Sequence, residues 1–231
     1  MSVWRIDIHT LAVLVLGIYV ACPFLCLRIH KRWGVLAAIL GLWLPIEFSL
    51  FHFVGVSQTV AIAAGMIAGV LAFRKRPEVI EVRSAFDLRK MSFRSGALHF
   101  VWFAVVAVPV GLAIGFIQPA ANRPGIAQIP ALIAGIFFLN ALPEEILFRG
   151  IIQHTIESIT GSRIGALLVA ALIFGAAHLN NGVPLPNYRY FLLATLAGIA
   201  YGLAWRRNRN VLTSTITHTL VNTAWRLIFR Y

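Results

Sequence analysis

Apolar residues run through this chain in long unbroken stretches, divided by glycine, proline and clusters of arginine and lysine. Continuous runs of that kind read as membrane-spanning helices, whereas a membrane barrel would alternate polar and apolar positions. The pattern predicts an all-α polytopic membrane protein with about eight transmembrane helices. They fall at roughly 8–27, 34–54, 56–73, 97–118, 128–150, 163–182, 188–205 and 210–229. The fifth is expected to continue as a partly exposed helix towards Ser158. Gly34, Gly55, Pro119, Pro124, Gly161 and the 182–186 stretch mark the joints.

Composition agrees: 59% of the 231 residues are hydrophobic, 12% are charged, and mean hydropathy is +0.82. A soluble domain could not hide that much apolar surface. The net charge of +12 would suit nucleic acid, but the cations lie between the apolar runs, as topology signals do. Nucleic-acid binding is therefore set aside. With eight spans, fifteen basic residues fall on one side and five on the other (Arg5, Arg123, Arg189, Arg226 and Arg230). That asymmetry puts the basic loops in the cytoplasm and both termini outside. The basic 74–96 segment serves first as a topology anchor and could also grip anionic lipid headgroups. It is also the best internal boundary, dividing an N-terminal three-helix region, 1–96, from a core, 97–231, that carries the polar residues. Cys22 and Cys26 read as small packing residues, not as a metal or redox pair.

Charges inside the apolar runs are expensive and need a reason. Residues 129–142 carry none, and then Glu144, Glu145 and Arg149 arrive together. Glu145 and Arg149, four apart, share a helix face and can pair. Glu144 is turned about 100° away and is left free for chemistry. Phe174 and His178 repeat the four-residue spacing, with small residues between them that let a neighbouring helix approach. His218 and Asn222 repeat it again, with Ser214 one turn earlier, and Asn180–Asn181 would end the sixth span. Glu47, His52 and His99 stand alone and read as structural groups. Spans five and six form a hairpin turning near Thr160–Ser162. At ~1.5 Å per residue, Glu144 and His178 each lie ~24 Å from that turn, and so at one depth. His218 reaches the same depth if the hairpin tip, with polar Gln153, His154 and Glu157, projects beyond the bilayer. A buried carboxylate beside imidazoles can act as general base on water, and imidazole and carboxamide donors can hold an oxyanion. No Gly-x-Ser-x-Gly and no His-Glu-x-x-His occurs.

Glu144-Glu145-x-x-x-Arg149, Phe174-x-x-x-His178 and His218-x-x-x-Asn222 resemble, in order, the three motifs of the CPBP intramembrane proteases (CAAX protease and bacteriocin-processing, or Abi, family). The resemblance covers about residues 97–231. It implies that Glu144 activates water, that Glu145 supports it and is pinned by Arg149, that His178 orients the water, and that His218 and Asn222 form the oxyanion hole. No cofactor is expected. The alternative is zinc held by Glu144, His178 and His218. The implied activity is an endopeptidase acting on a membrane-anchored protein or peptide. The compact form, with basic loops and no soluble domain, points to a prokaryotic plasma membrane and away from trimming of prenylated proteins. Other readings are a non-catalytic immunity or scaffold protein, and a transporter, against which the lack of an internal repeat counts.

Overall fold

The computed structural model describes residues 7–29, 33–74, 86–120, 124–182 and 184–230. Arg5, Lys31, Arg32, Lys75, Arg76, Arg83 and Arg123, on which part of the orientation argument rests, lie outside the described residues, as does much of the 74–96 segment. The chain divides into two compact units, Met1–Val79 and Ile80–Tyr231.

The first unit holds α1 (Ile8–Ile29), α2 (Trp33–Glu47) and α3 (Gln58–Phe73), with α1 packed on both of the others. Its anchor is Tyr19, 4% exposed, which donates a 2.8 Å hydrogen bond to the carbonyl of Leu42 and sets its ring edge-on to Phe51. The single span expected at 34–54 is interrupted. Pro45 lacks an amide hydrogen, α2 stops at Glu47, and Ser49 adopts a left-handed conformation before a 3₁₀ turn at Leu50–Val54.

The second unit is built from α4 (Phe93–Ala113), α5 (Ile126–Thr160), α6 (Arg163–Ala176), α7 (Tyr188–Asn208) and α8 (Val211–Ile228). Side chains chosen for the task start four of them. Ser92, Ser162, Asn187 and Asn210 accept the amides of Ser95, Gly165, Tyr190 and Thr213. α7 packs against α6, α4 and α8, and α8 also packs against α4. A Cβ on Gly198 of α7 would lie 3.0 Å from the Cα of Ala171 on α6, so these two helices touch backbone to backbone. The fourth helix begins earlier and ends earlier than the 97–118 expected. Ser92 caps it, and Gly115, at φ 66°, turns the chain out after Ala113. The exit strand β1 (Gln118–Pro119) pairs antiparallel with β2 (Phe229–Arg230). The sixth helix also stops short of 182. Its continuation is folded back, because Asn187 donates its amide to the carbonyl of Leu179 and its side chain to that of Asn181, with Gly182 at φ 76°.

Among the described residues, three helical stretches are long and apolar enough to cross a membrane: Ile8–Arg28, Phe93–Ala113 and Ile126–Thr160. The apolar helices Ala37–Glu47, Gln58–Phe73 and Arg163–Ala176 are shorter. The structure is thus helical and apolar as the pattern requires, and it supplies three spans by length and composition where eight were expected. In α7 and α8 polarity is the reason. α8 alone buries Thr213, Ser214, Thr215, Thr217, His218, Thr219 and Thr223.

Candidate active site

α5 is one continuous helix of changing pitch. Phe137–Ala141 and Ile146–Gln153 are π-helical, and the α-helical turn Leu142–Glu145 lies between them. Widened turns of this kind recur at functional sites because they re-aim side chains that a regular helix would stack. Here they flank both carboxylates.

Glu145 faces inward and is fully buried, as is Arg149. The guanidinium donates to Glu145 Oε1 at 3.1 Å and to the carbonyl of Gly198 at 2.9 Å, and it lies over the rings of Phe174 and Tyr201 at 4.8 and 5.2 Å. His218 of α8 completes the cluster. Its Nδ1 is 2.9 Å from the same Glu145 oxygen, and its ring stacks on Tyr201 at 4.4 Å. A carboxylate paired with arginine only accepts, so Nδ1 carries the hydrogen and donates it. The pairing fixes the imidazole and turns Nε2 towards Glu144, whose Oε2 is 3.9 Å away.

Glu144 is 29% exposed at its side chain. It is not left free, as its rotation away from Arg149 suggested. Asn140, one turn earlier, donates to Glu144 Oε1 at 2.5 Å, and the carbonyl oxygen of Asn140 accepts from Asn222 Nδ2 at 2.6 Å. His178 sits just beyond α6, with Nδ1 donating to the carbonyl of Phe174 at 2.8 Å and its ring packed between Phe174 and Tyr190. Glu144, His178, His218 and Asn222 all line one cavity of about 180 Å³, together with Asn140 and Asn181. Its lining is also aromatic, with Phe116 packed on both Tyr190 and Trp225. Polar groups that can activate water thus share a cavity with aromatic surface that can hold an apolar chain.

The remaining expectations separate cleanly. Ser214 is buried and spends its hydroxyl on the carbonyl of Val211, and His99 bonds the carbonyl of Ser95 on its own helix. Gln153 is 0% exposed and directs its amide at the carbonyl of Gly202, so it does not belong to a solvated hairpin tip. Glu157 is likewise tied down, accepting from both terminal nitrogens of Arg209 and lying 3.5 Å from Arg163 Nε. The sequence reading missed Asn140 and Tyr201. The asparagine was visible as a carboxamide four residues before Glu144 in an apolar run, whereas Tyr201 is an ordinary apolar-face residue until α7 meets α8.

A zinc ion here would draw its ligands from Glu144, His178 and His218. Both imidazoles have Nδ1 engaged, by Glu145 and by a backbone carbonyl, as metal-binding histidines commonly do. One Glu144 oxygen, however, is taken by Asn140, and among the described residues no three His, Cys, Asp or Glu groups are gathered to hold an ion. As placed among the described residues, Glu144, His178 and His218 do not fit a three-ligand zinc set.

Among known families, the model described as type II CAAX prenyl endopeptidase Rce1-like matches residues 126–224, from the start of α5 to the last turns of α8. All three polar motifs fall inside that stretch. No curated protein and no solved structure matches the chain.

Proposed function

From the similarity of residues 126–224 to the Rce1-like CAAX endopeptidase family, we propose that the chain is an integral membrane endopeptidase of that kind, which hydrolyses a peptide bond of a membrane-associated substrate with water activated by Glu144. In this reading the water oxygen attacks the carbonyl carbon and its proton passes to Glu144. His178 and His218 Nε2 bracket the water. The free N–H of Asn222 faces the oxygen on which charge develops, and His218, whose Nδ1–H is held by Glu145, donates to that oxygen from Nε2 only as the imidazolium. Collapse of the tetrahedral intermediate breaks the C–N bond, and Glu144 returns the proton to the departing amine. Glu145 never meets substrate. It fixes the His218 ring and is itself neutralised by Arg149.

The observation that carries the proposal is the cavity itself, where Glu144, His178, His218 and Asn222 from α5, α8 and the turn after α6 share one small space with Phe116, Tyr190 and Trp225. The proposal extends to eight membrane crossings with both termini outside, in a prokaryotic plasma membrane. It takes the substrate to be a membrane-anchored peptide or protein, with prenylation as an open choice because the matching family is named for prenyl substrates.

The test uses the full chain purified in detergent, with two reporter peptides, one farnesylated near its carboxyl terminus and one bearing an unmodified apolar segment. Each is assayed with and without a chelator, beside metal analysis. Cleavage by wild type that resists chelation and is lost in Glu144→Gln supports the proposal. Chelator-sensitive cleavage with stoichiometric zinc would overturn the glutamic mechanism, and undiminished cleavage by Glu144→Gln would overturn the base.

A further inference from the structure

Asn140 stands at the junction of two groups that the proposed mechanism uses separately. Its NH₂ group is 2.5 Å from Glu144 Oε1, and its carbonyl oxygen is 2.6 Å from Asn222 Nδ2. An ionised carboxylate can only accept, so Asn140 must present its NH₂ to Glu144. Its carbonyl then faces Asn222, and Asn222 must present its own NH₂ in turn. One carboxylate thus dictates the orientation of two amides on two helices. The same chain of bonds consumes one Asn222 hydrogen and leaves the other, and it occupies Glu144 Oε1 while Oε2 remains on the side of His218 Nε2. The π-helical turn Phe137–Ala141 carries Asn140 to this position, next to the α-helical turn that carries Glu144.

We propose that Asn140 is a positioning residue that locks the base Glu144 and the carboxamide donor Asn222 into one relative arrangement. The inference rests on the reading of Glu144 as base and deepens it. The aim of the device is geometric. A carboxylate with two free oxygens rotates, whereas one held at Oε1 offers a single oxygen to water at a fixed place beside the oxyanion donor, the kind of preorganisation that turns a loose contact into a productive one.

The experiment pairs kinetics with a signal that does not need turnover. In Asn140→Ala, kcat is expected to fall about 10- to 100-fold, the scale of one lost hydrogen bond to a charged group, with KM within about twofold. Asn140→Asp keeps the size but sets a second carboxylate against Glu144, so its kcat falls further. Asn140→Ala added to Asn222→Ala costs less than the product of the two single effects, because the two residues act as a unit. A residue that only fills space would lower thermal stability and would multiply with Asn222→Ala. Independently, the side-chain NH₂ resonances of asparagine-labelled protein are compared with those of Glu144→Gln. The Asn140 and Asn222 signals are expected to move together. Movement of Asn140 alone, or purely multiplicative kinetics, would overturn the inference. Undiminished activity in Glu144→Gln would instead overturn the base, while the coupled resonances would still report the bond chain.

Discussion

Glu144 and Glu145 are neighbours in the chain, yet they end α5's inner turn in opposite surroundings. Around Glu145 lies a dry, buried cluster of Arg149, His218, Tyr201, Phe174 and the carbonyl of Gly198, in which Glu145 Oε1 is shared by Arg149 and His218 while Glu145 Oε2 and Arg149 Nε have no hydrogen-bond partner among the described residues. Around Glu144 lies the rim of a cavity, where the hydrogen-bond partner is the neutral amide of Asn140 and the carboxylate stays partly exposed. A buried ion cluster resists any change of charge, because each group is compensated only by the others. An amide-held carboxylate at a cavity can take up a proton and release it. In the proposed mechanism rigidity falls to one carboxylate and chemistry to the other, and His218, which lies against both, is the hinge of the arrangement.

Neutralising each side should break different things. Glu144→Gln is expected to reduce cleavage by about 10²–10⁴-fold, the usual scale for removing a general base, while thermal stability in detergent stays close to wild type. Turnover of the cleaved reporter and a melting curve check it together. Arg149→Ala strikes the other side. It strands the fully buried Glu145, a loss on the scale of about 3–5 kcal/mol for one partner of a buried pair. The outcome to look for is a large drop in melting temperature or in accumulation in the membrane, with activity lost as a consequence of unfolding. If Arg149→Ala melted normally and only kcat fell, the dry cluster would belong to the chemistry after all.

How much of this was legible in the residues differs between the two carboxylates for a physical reason. The Glu145–Arg149 pair follows from a spacing of four on any helix, so the sequence displays it directly. Glu144's restraint depends on Asn140 and on Asn222, 82 residues apart and joined only when α8 packs beside α5. Local periodicity is blind to such a meeting. The helices themselves were visible as apolar runs, and their ends were misjudged where a single residue overrode the run: Pro45 and Ser49 in the first unit, Gly115 after α4, and Asn187 folding the chain back after α6. The π-helical pitch of α5 is not legible in the hydrophobic pattern, because the few polar positions of its π-helical stretches, Asn140, Arg149 and Gln153, are too sparse to define a period.

Gly198 offers a milder way to sharpen the contrast, since its carbonyl holds Arg149 and its missing side chain admits α6. Gly198→Val should push α7 from Ala171 and cost about 1–3 kcal/mol, as overpacking does. The expected reading is a lower melting temperature with a parallel loss of activity, and without a selective change in KM.

The smallest effect belongs to a third acidic residue that resembles Glu145 only superficially. Glu157 also accepts from arginine, and Arg209 also lies over an aromatic ring, Trp205, at 4.7 Å. Its partners, however, reach water: the side chain of Arg209 is 39% exposed and that of Arg163 is 71% exposed. Water and salt screen such a pair, and its worth is about 0–1 kcal/mol. Glu157→Gln should therefore lower the melting temperature slightly at low salt and scarcely at all at high salt, with cleavage unchanged. Arg149→Ala, in the dry cluster, should keep its full effect at both salt concentrations. A Glu157→Gln loss that matched that of Arg149→Ala and ignored salt would mean that the hairpin end of α5 is as dry as its middle, and the distinction between the two kinds of carboxylate would then rest on Glu144 alone.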